Sequence, residues 1–557
     1  MRSAVAATVF LAAAAAAAAA AGSFRGNLNY ASPSRRDAHA NLGVDVPRVT
    51  ARRSSWKRSA VAASRNLSFT HGVASGDPYV DSVVLWTRAA PSAASDRSNV
   101  TVEGTVPLYS HETDAYVKAD PDPVCVGWSV FQEPGPGGSA GAQEEEAAVA
   151  SGEAYTTSDI DYTVKVGAPS DRVGWLVEGK RGSGGGGDYI YESKAGGVRA
   201  TMPRAKIFSL YDYRTRYGQV SDNGYRDGSS QLNNTEESFR NDGPGISVDQ
   251  RKMNAVRAYF EWMPLRQVDL DDNLRVWRSF QLGNLMDLII LDTRNYDRSI
   301  TSLGWNDDYI GLIRDDAGRT LMGSHQENWF YNQLTKSSQR GATWRVIGNQ
   351  IVFSSIIESY GPSGDNWNGY VANRNRTLKH LYDNEISNTI FLAGDSHQNW
   401  VSDLVWLGEK PYDAATGAGA IGVELAGTAV SSSGTQGTIA YAQEQARERV
   451  GNATELIWND GYYRGYFLLS AGREQAAARF YGVPSVASRH GWELPVANFT
   501  VLAGANRIER PVAGGTVEAG CLRGGVTAPT NVSRNTVTGE WDVVGFEVMY
   551  LNTSAAA

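Results

Sequence analysis

Residues Asn388–Trp400 read N-T-I-F-L-A-G-D-S-H-Q-N-W, and the fold turns on how this stretch is read. Thr389–Ala393 is a short apolar run of the buried-strand kind, and Gly394 closes it where the backbone must turn sharply. A strand that stops there delivers Asp395 and His397 to a sheet edge. The one-residue gap predicts both side chains on one side of an extended backbone, a hard metal ligand beside a borderline one. A solvated aspartate beside a turn-capping histidine would satisfy the same letters, so a metal reading needs a second ligand set elsewhere in the chain.

Gly187–Glu192, G-D-Y-I-Y-E, supplies candidates for it. Asp188 stands at the start of a turn and Tyr191 three residues on, close enough for a carboxylate and a phenol to reach one ion. A phenolate favours a hard trivalent metal such as ferric iron, whose charge lowers the phenol pKa. The two motifs read as halves of a dinuclear metallophosphatase centre.

Four further motifs accompany them: F-T-H-G-V-A-S-G-D-P (Phe69–Pro78), V-V-L-W-T-R (Val83–Arg88), Y-D-Y-R-T-R-Y (Tyr211–Tyr217) and D-L-I-I-L-D-T-R (Asp287–Arg294). Taken in order, the set resembles the PhoD-type alkaline phosphatases, a branch of the calcineurin-like metallophosphatases that also holds the purple acid phosphatases. The resemblance runs from about Asn66 to Phe480. It implies an immunoglobulin- or fibronectin-like all-β domain followed by an α/β catalytic domain of four-layer αββα build, with Fe3+ and Ca2+ as metals. It also implies residue roles: Asp188 bridging, Tyr191 and His397 on iron, Asp395 with Asn223 on calcium, and Asp188 and His397 as the catalytic pair. The chain departs from the family pattern in two places. No Ser-Cys-Asn turn precedes Asp188, where four glycines, 184–187, replace a central strand. After Tyr217 the chain passes straight to Asn223 without the family's Trp-Asp-Asp-His-Glu segment.

The start of the chain reads as a secretory address at 1–22, with Met1-Arg2 ahead of the alanine-rich Ala4–Ala21, followed by a flexible leader at 23–65. A β-sandwich is expected over 66–180, the phosphatase domain over 187–480, and a β-rich extension over 481–557. Strand-like runs at Met286–Leu291, Trp344–Ile347 and Thr389–Ala393 alternate with helical spacing at Asn254–Trp262 and Gln326–Leu334, the pattern of an α/β sheet. Met286–Leu291 runs into Asp292-Thr293-Arg294, where Arg294 either clamps a substrate phosphate or pairs with Asp292. Gly348-Asn349-Gln350 lacks the histidine of a purple acid phosphatase turn and reads as backbone turn chemistry. His71 and Asp77 read as structural.

At 557 residues the chain exceeds one core, and a net charge of −8 argues against a general nucleic-acid or membrane binder, which would need a basic face. Only Cys125 and Cys521 occur, so the fold does not rest on a disulfide framework; they form one long bridge or two buried thiols. Eight sequons, at Asn66, Asn99, Asn233, Asn375, Asn452, Asn498, Asn531 and Asn552, suit a secreted or vacuolar glycoprotein. No second apolar stretch of about twenty residues follows the signal, so no membrane span is expected. These readings converge on a secreted phosphatase acting on small-molecule or lipid phosphate esters, mono- or diesters. A phospholipase D-like phosphodiesterase of the same superfamily and a truncated, inactive relative serving as a binding module are the alternatives.

Overall fold

The computed structural model describes residues 24, 26–31, 67–69, 71–79, 81–91, 108–110, 115–117, 123–131, 148–169, 210, 214, 248–267, 275–294, 296–302, 306–355, 364–430, 434–435, 437–483, 492–528, 532–534, 541–543 and 547–548. The chain divides into two compact units, one of Met1–Lys180, Met202–Ser221 and Asn234–Arg275, the other of the remainder.

In the first unit the strands include β1 (Ala74–Gly76), β2 (Ser82–Arg88), β3 (Val124–Val130), β4 (Ala150–Thr156) and β5 (Thr163–Pro169). β1, β2 and β5 form one antiparallel sheet and β3 pairs antiparallel with β4. Val124 and Val126 of β3 meet Val164 and Val166 of β5 in a single apolar cluster, because alternate residues of a strand share a face. Helix α1 (Val248–Trp262) belongs to this unit too, although its sequence falls inside the segment expected to be catalytic. A helix end leaves its last carbonyls without internal partners. Here the Trp86 indole donates to the Glu261 carbonyl at 2.8 Å, and the buried Lys165 ammonium donates to the carbonyls of Phe260 and Leu265. A cation at that end also complements the helix dipole. The Glu261 carboxylate is fully buried and accepts both arms of the Arg214 fork at 2.7 Å, with Arg257 adding a third donor at 3.0 Å. Desolvation is therefore offset by paired charge.

The second unit is built on an eight-stranded sheet. Its strands are β6 (Arg278–Leu282), β7 (Met286–Ile290), β8 (Trp344–Gly348), β9 (Thr389–Ala393), β10 (Asn399–Leu404), β11 (Gly422–Ala426) and β12 (Leu456–Asp460). The smaller four-stranded sheet takes β13 (Arg464–Ala471), β14 (Gln475–Val483), β15 (Trp492–Leu502) and Glu547–Val548, while β16 (Cys521–Leu522) closes the large one. The large sheet runs β6-β7-β8-β9-β11-β10-β12-β16, with β7, β8, β9 and β11 mutually parallel. Parallel strands need long crossovers, and helices α2 (Gly323–Gln339) and α3 (Val371–Asp383) provide them between β7 and β8 and between β8 and β9.

Both faces of this sheet are covered. Ile390, Val346 and Val423 pack with Phe480 of β14 and Val496 and Phe499 of β15. Ile289, Ile347 and Phe391 pack instead with Phe330 and Leu334 of α2 and Leu378 and Leu381 of α3. A strand buried on both faces reads as an unbroken apolar run, which is why Thr389–Ala393 is recognisable. The fold is a mixed, sheet-rich α/β arrangement with three of the four expected layers among the described residues: helices, large sheet, small sheet. β15 and β16, past residue 481, contribute core residues such as Val496, Phe499 and Leu522.

Two expectations are corrected. Among the described residues Cys125 is exposed on β3 and Cys521 half-buried on β16, so the reading of both as buried thiols fails for Cys125. Asn375 is half-buried within α3, and its sequon threonine, Thr377, is fully buried with Oγ1 donating to the Asn373 carbonyl at 3.1 Å, packing that argues against a bulky glycan. Asn452 and Asn498 are exposed, and Asn66, Asn99, Asn233, Asn531 and Asn552 lie outside the described residues.

Phe391 is fully buried, stacked on Phe353 with ring centres 4.4 Å apart. Phe391→Ala is expected to cost the second unit about 3–5 kcal/mol in urea unfolding. Leu312→Ala, at a residue 83% exposed, is expected to stay within about 0.5 kcal/mol.

Candidate functional site

Four parallel strands end at one edge, and the residues just past them carry the chemistry. β7 runs into Asp292-Thr293-Arg294, β8 into Asn349-Gln350, β9 into Gly394–His397, and β11 into Gly427-Thr428. Ladder bonds continue one step past the strands, from Leu291 N to Gly348 O, Asn349 N to Leu392 O and Gly427 N to Ala393 O, each at 2.9 Å. These hold the four ends level. Open α/β sheets place ligands outside the carboxyl ends of their strands, so this edge is the candidate site.

The Arg294 guanidinium ties the edge together. Nη1 donates to Asp365 at 3.0 Å and Nη2 donates to Asp395, while the Asp292 carboxylate accepts the Arg294 backbone N–H at 3.1 Å. The Arg294 side chain forms ion pairs with Asp365 and Asp395. Asp365 also accepts from Arg298 Nη2 at 2.8 Å and from the Thr301 hydroxyl at 3.0 Å. Burial alone would raise the Asp365 pKa, but Arg294 and Arg298 outweigh it and hold the carboxyl below the usual range. Sequence reasoning missed Asp365 and Arg298, because 71 residues separate Arg294 from its aspartate and no local spacing marks the pair.

Asp395 and His397 stand where β9 ends, but the backbone between them is not extended. Asp395 has φ +65° and His397 φ +58°, both left-handed, which corrects the expectation that alternation alone sets their directions. Non-glycine residues held in that region are strained unless their surroundings fix them. Here the Thr428 hydroxyl donates to the His397 carbonyl at 3.1 Å, the Thr428 N–H donates to Asn399 Oδ1 at 2.9 Å, and the Trp400 indole donates to Ser396 Oγ at 2.8 Å.

Gln350 behaves as turn chemistry. Its Oε1 accepts the Thr293 N–H at 2.9 Å and the Thr293 hydroxyl at 2.7 Å, joining the ends of β7 and β8. The chain beyond Gln350 is held by the fully buried Glu424 of β11, which accepts the N–H groups of Phe353 and Ser354 at 2.7 and 2.9 Å. Burial raises the Glu424 pKa.

Asp188, Tyr191 and Asn223 lie outside the described residues, and among the described residues no cluster of three or more His, Cys, Asp or Glu is assembled as a metal site. Also among the described residues, no helix is long and apolar enough to cross a membrane. Beside His397 lies a cleft of about 330 Å³ whose walls include Ser396, Gln398, Thr435, Gln445 and Arg449.

Comparison with known proteins follows this geometry. A family model described as PhoD-like phosphatase matches residues 219–480, and one described as the PhoD-like phosphatase N-terminal domain matches 54–170. The chain is 30% identical over 492 residues to alkaline phosphatase D of Bacillus subtilis (strain 168), covering 76% of this chain and 80% of that protein. A solved structure titled "Structure of PhoD" superposes with a TM-score of 0.59 at 24% identity, covering 84% of this chain and 95% of that one, a likeness of fold. Arg294, Asp395 and His397 fall inside the 219–480 match, as does Asn223, while Asp188 and Tyr191 fall between the two matches.

The lowered Asp365 pKa makes a pH prediction. A depressed carboxylate pKa contributes stability above the unfolded-state value, here 3.8, and loses it as pH falls through the folded value. Asp365→Asn is expected to cost about 1–3 kcal/mol at pH 7. The gap between variant and wild type should narrow below pH 3.8 in denaturant titrations. A gap that is constant across this range contradicts the ion-pair account.

Proposed function

The chain belongs to the PhoD-like phosphatase family, and from that premise we propose that it is a metal-dependent phosphatase working at the carboxyl edge of the second unit's sheet. The observation that carries the reading is the meeting of Asp395, His397 and Arg294 at that edge: a hard carboxylate and a borderline imidazole beside a guanidinium of the kind that suits phosphate. By the chemistry of their side chains, Asp188, Tyr191 and His397 would hold one cation and Asp395 with Asn223 a second, with Asp188, Tyr191 and Asn223 outside the described residues. Fe3+ and Ca2+ are the proposed metals. When bound, such a pair supplies charge neutralisation and water activation for ester hydrolysis.

The chain's own residues prepare the site. Arg294 shares its fork between Asp365 and Asp395, and an arm released from Asp395 can meet a phosphate oxygen bidentately with the remaining donors. Arg298, half of the clamp on Asp365, keeps that carboxylate charged and so keeps Arg294 in place. Thr428 and Asn399 fix the backbone that presents His397. Substrates are small-molecule or lipid phosphate esters, mono- or diesters. The strands of the first unit are read as an immunoglobulin- or fibronectin-like module, and the alanine-rich start as a signal for a secreted or vacuolar product.

The full chain can be assayed with 4-nitrophenyl phosphate and bis(4-nitrophenyl) phosphate before and after chelation. Chelation is expected to abolish turnover. His397→Ala is expected to lower kcat/KM about 10–100-fold together with metal content. A His397→Ala protein with unchanged rate and metal content would sink the site assignment.

A further inference from the structure

β10 breaks the parallel order of the large sheet, being antiparallel to β11 on one side and to β12 on the other. Two reversals restore the direction, so β12 points as β9 and β11 do. Its last residue, Asp460, therefore reaches the edge that carries His397, directly opposite Asn399, the first residue of β10. Both side chains are buried.

Both Asp460 oxygens accept: Oδ1 takes the Tyr462 N–H at 3.2 Å and Oδ2 takes Asn399 Nδ2 at 3.3 Å. An asparagine amide has one donating end and one accepting end, so a carboxylate that claims the nitrogen turns the oxygen the other way. There Asn399 Oδ1 accepts the Thr428 N–H at 2.9 Å, and the Thr428 hydroxyl donates to the His397 carbonyl at 3.1 Å. The bonds thus lead in sequence from Asp460 to the backbone of a residue held at φ +58°, a conformation that a non-glycine residue keeps only with outside support. The starting point is fixed in its turn. Asn459 Nδ2 donates to the Asn399 carbonyl at 2.9 Å, and a Cβ on Gly520 would lie 2.8 Å from Asp460 Cβ, so neither residue has room to drift. Burial raises the Asp460 pKa, while the Tyr462 N–H, the Arg464 charge and Asn399 pull against it.

The sequence of bonds has one polarity. An amide of the same shape in place of the carboxylate would turn a donor toward another donor, either the Tyr462 N–H or Asn399 Nδ2. If the Asn399 amide turns over to relieve that clash, its nitrogen meets the Thr428 N–H and the support of His397 is lost.

We propose that Asp460 is a positioning residue for the reaction: from the end of β12 it orients the Asn399 amide, and through Thr428 it holds the backbone that presents His397. The inference rests on the phosphatase reading and adds to it a residue that acts only through others.

The test measures kcat and KM for 4-nitrophenyl phosphate on the full chain as wild type, Asp460→Asn, Thr428→Val, Thr428→Ser and the Asp460→Asn/Thr428→Val double variant. Asp460→Asn and Thr428→Val are each expected to lower kcat about tenfold with KM little changed, the scale of losing a bond that orients a ligating side chain. Thr428→Ser keeps the hydroxyl and is expected to recover most of that loss. Because both changes cut one relay, the double variant should fall no further than the lower single, whereas independent damage would multiply. Asn399→Ala removes the link itself and is expected to match the singles, which keeps the relay testable if Asp460→Asn fails to fold. Crystal structures read the position without turnover: His397 is expected to leave its left-handed conformation in Asp460→Asn and Thr428→Val and to keep it in Thr428→Ser. Wild-type kcat with an unmoved His397 in Asp460→Asn or Asn399→Ala overturns the proposal, as does a double variant whose losses multiply, and either leaves the phosphatase reading standing. A wild type that does not hydrolyse the ester takes down the phosphatase reading, and the His397 conformation in the variants then decides for or against the relay by itself.

Discussion

The Arg294 guanidinium, shared between Asp365 and Asp395, is the interaction on which the site depends. It joins the end of β7 to the end of β9 and to the segment entering α3, three pieces of chain that the ladder alone does not bring to one point. Arg294 is only 6% exposed, so its charge is tolerated because two carboxylates face it, and Arg298 in turn balances Asp365. Remove one member and the others are left with buried, poorly compensated charge. The network therefore fixes geometry and electrostatics together.

Beneath it lies a sheet whose burial makes that precision possible. Helices on one face and a second sheet on the other leave the parallel strands no freedom to slip, since a one-residue shift would exchange Ile390 for Phe391 between two differently shaped cores. The strain at Asp395 and His397 is held by bonds from Thr428 and Trp400, residues that arrive on β11 and β10. Fold stability and site geometry thus draw on the same strand order.

Much of this was readable in the letters, for definable reasons. Thr389–Ala393, Met286–Ile290 and Trp344–Gly348 emerged as strands because double-sided burial selects continuous apolar runs, and α2 emerged because Gln326, Phe330 and Leu334 repeat every four residues. The left-handed turn at Asp395 and His397 did not, since alternation describes only extended chain. Asp365 stayed hidden because long-range ion pairs leave no periodic trace, and α1 because a helix pattern does not reveal which unit receives it.

The central claim is that Asp395 and His397, at the carboxyl edge of the second unit's sheet, hold the metal of a phosphate-ester hydrolase. Its most direct test is diffraction from crystals of catalytically active protein, with anomalous data collected across the iron absorption edge and at long wavelength for calcium. The account predicts anomalous peaks within coordination distance of the His397 imidazole and the Asp395 carboxylate. Active crystals with no peak at that edge, or with their metal bound elsewhere in the chain, would contradict it.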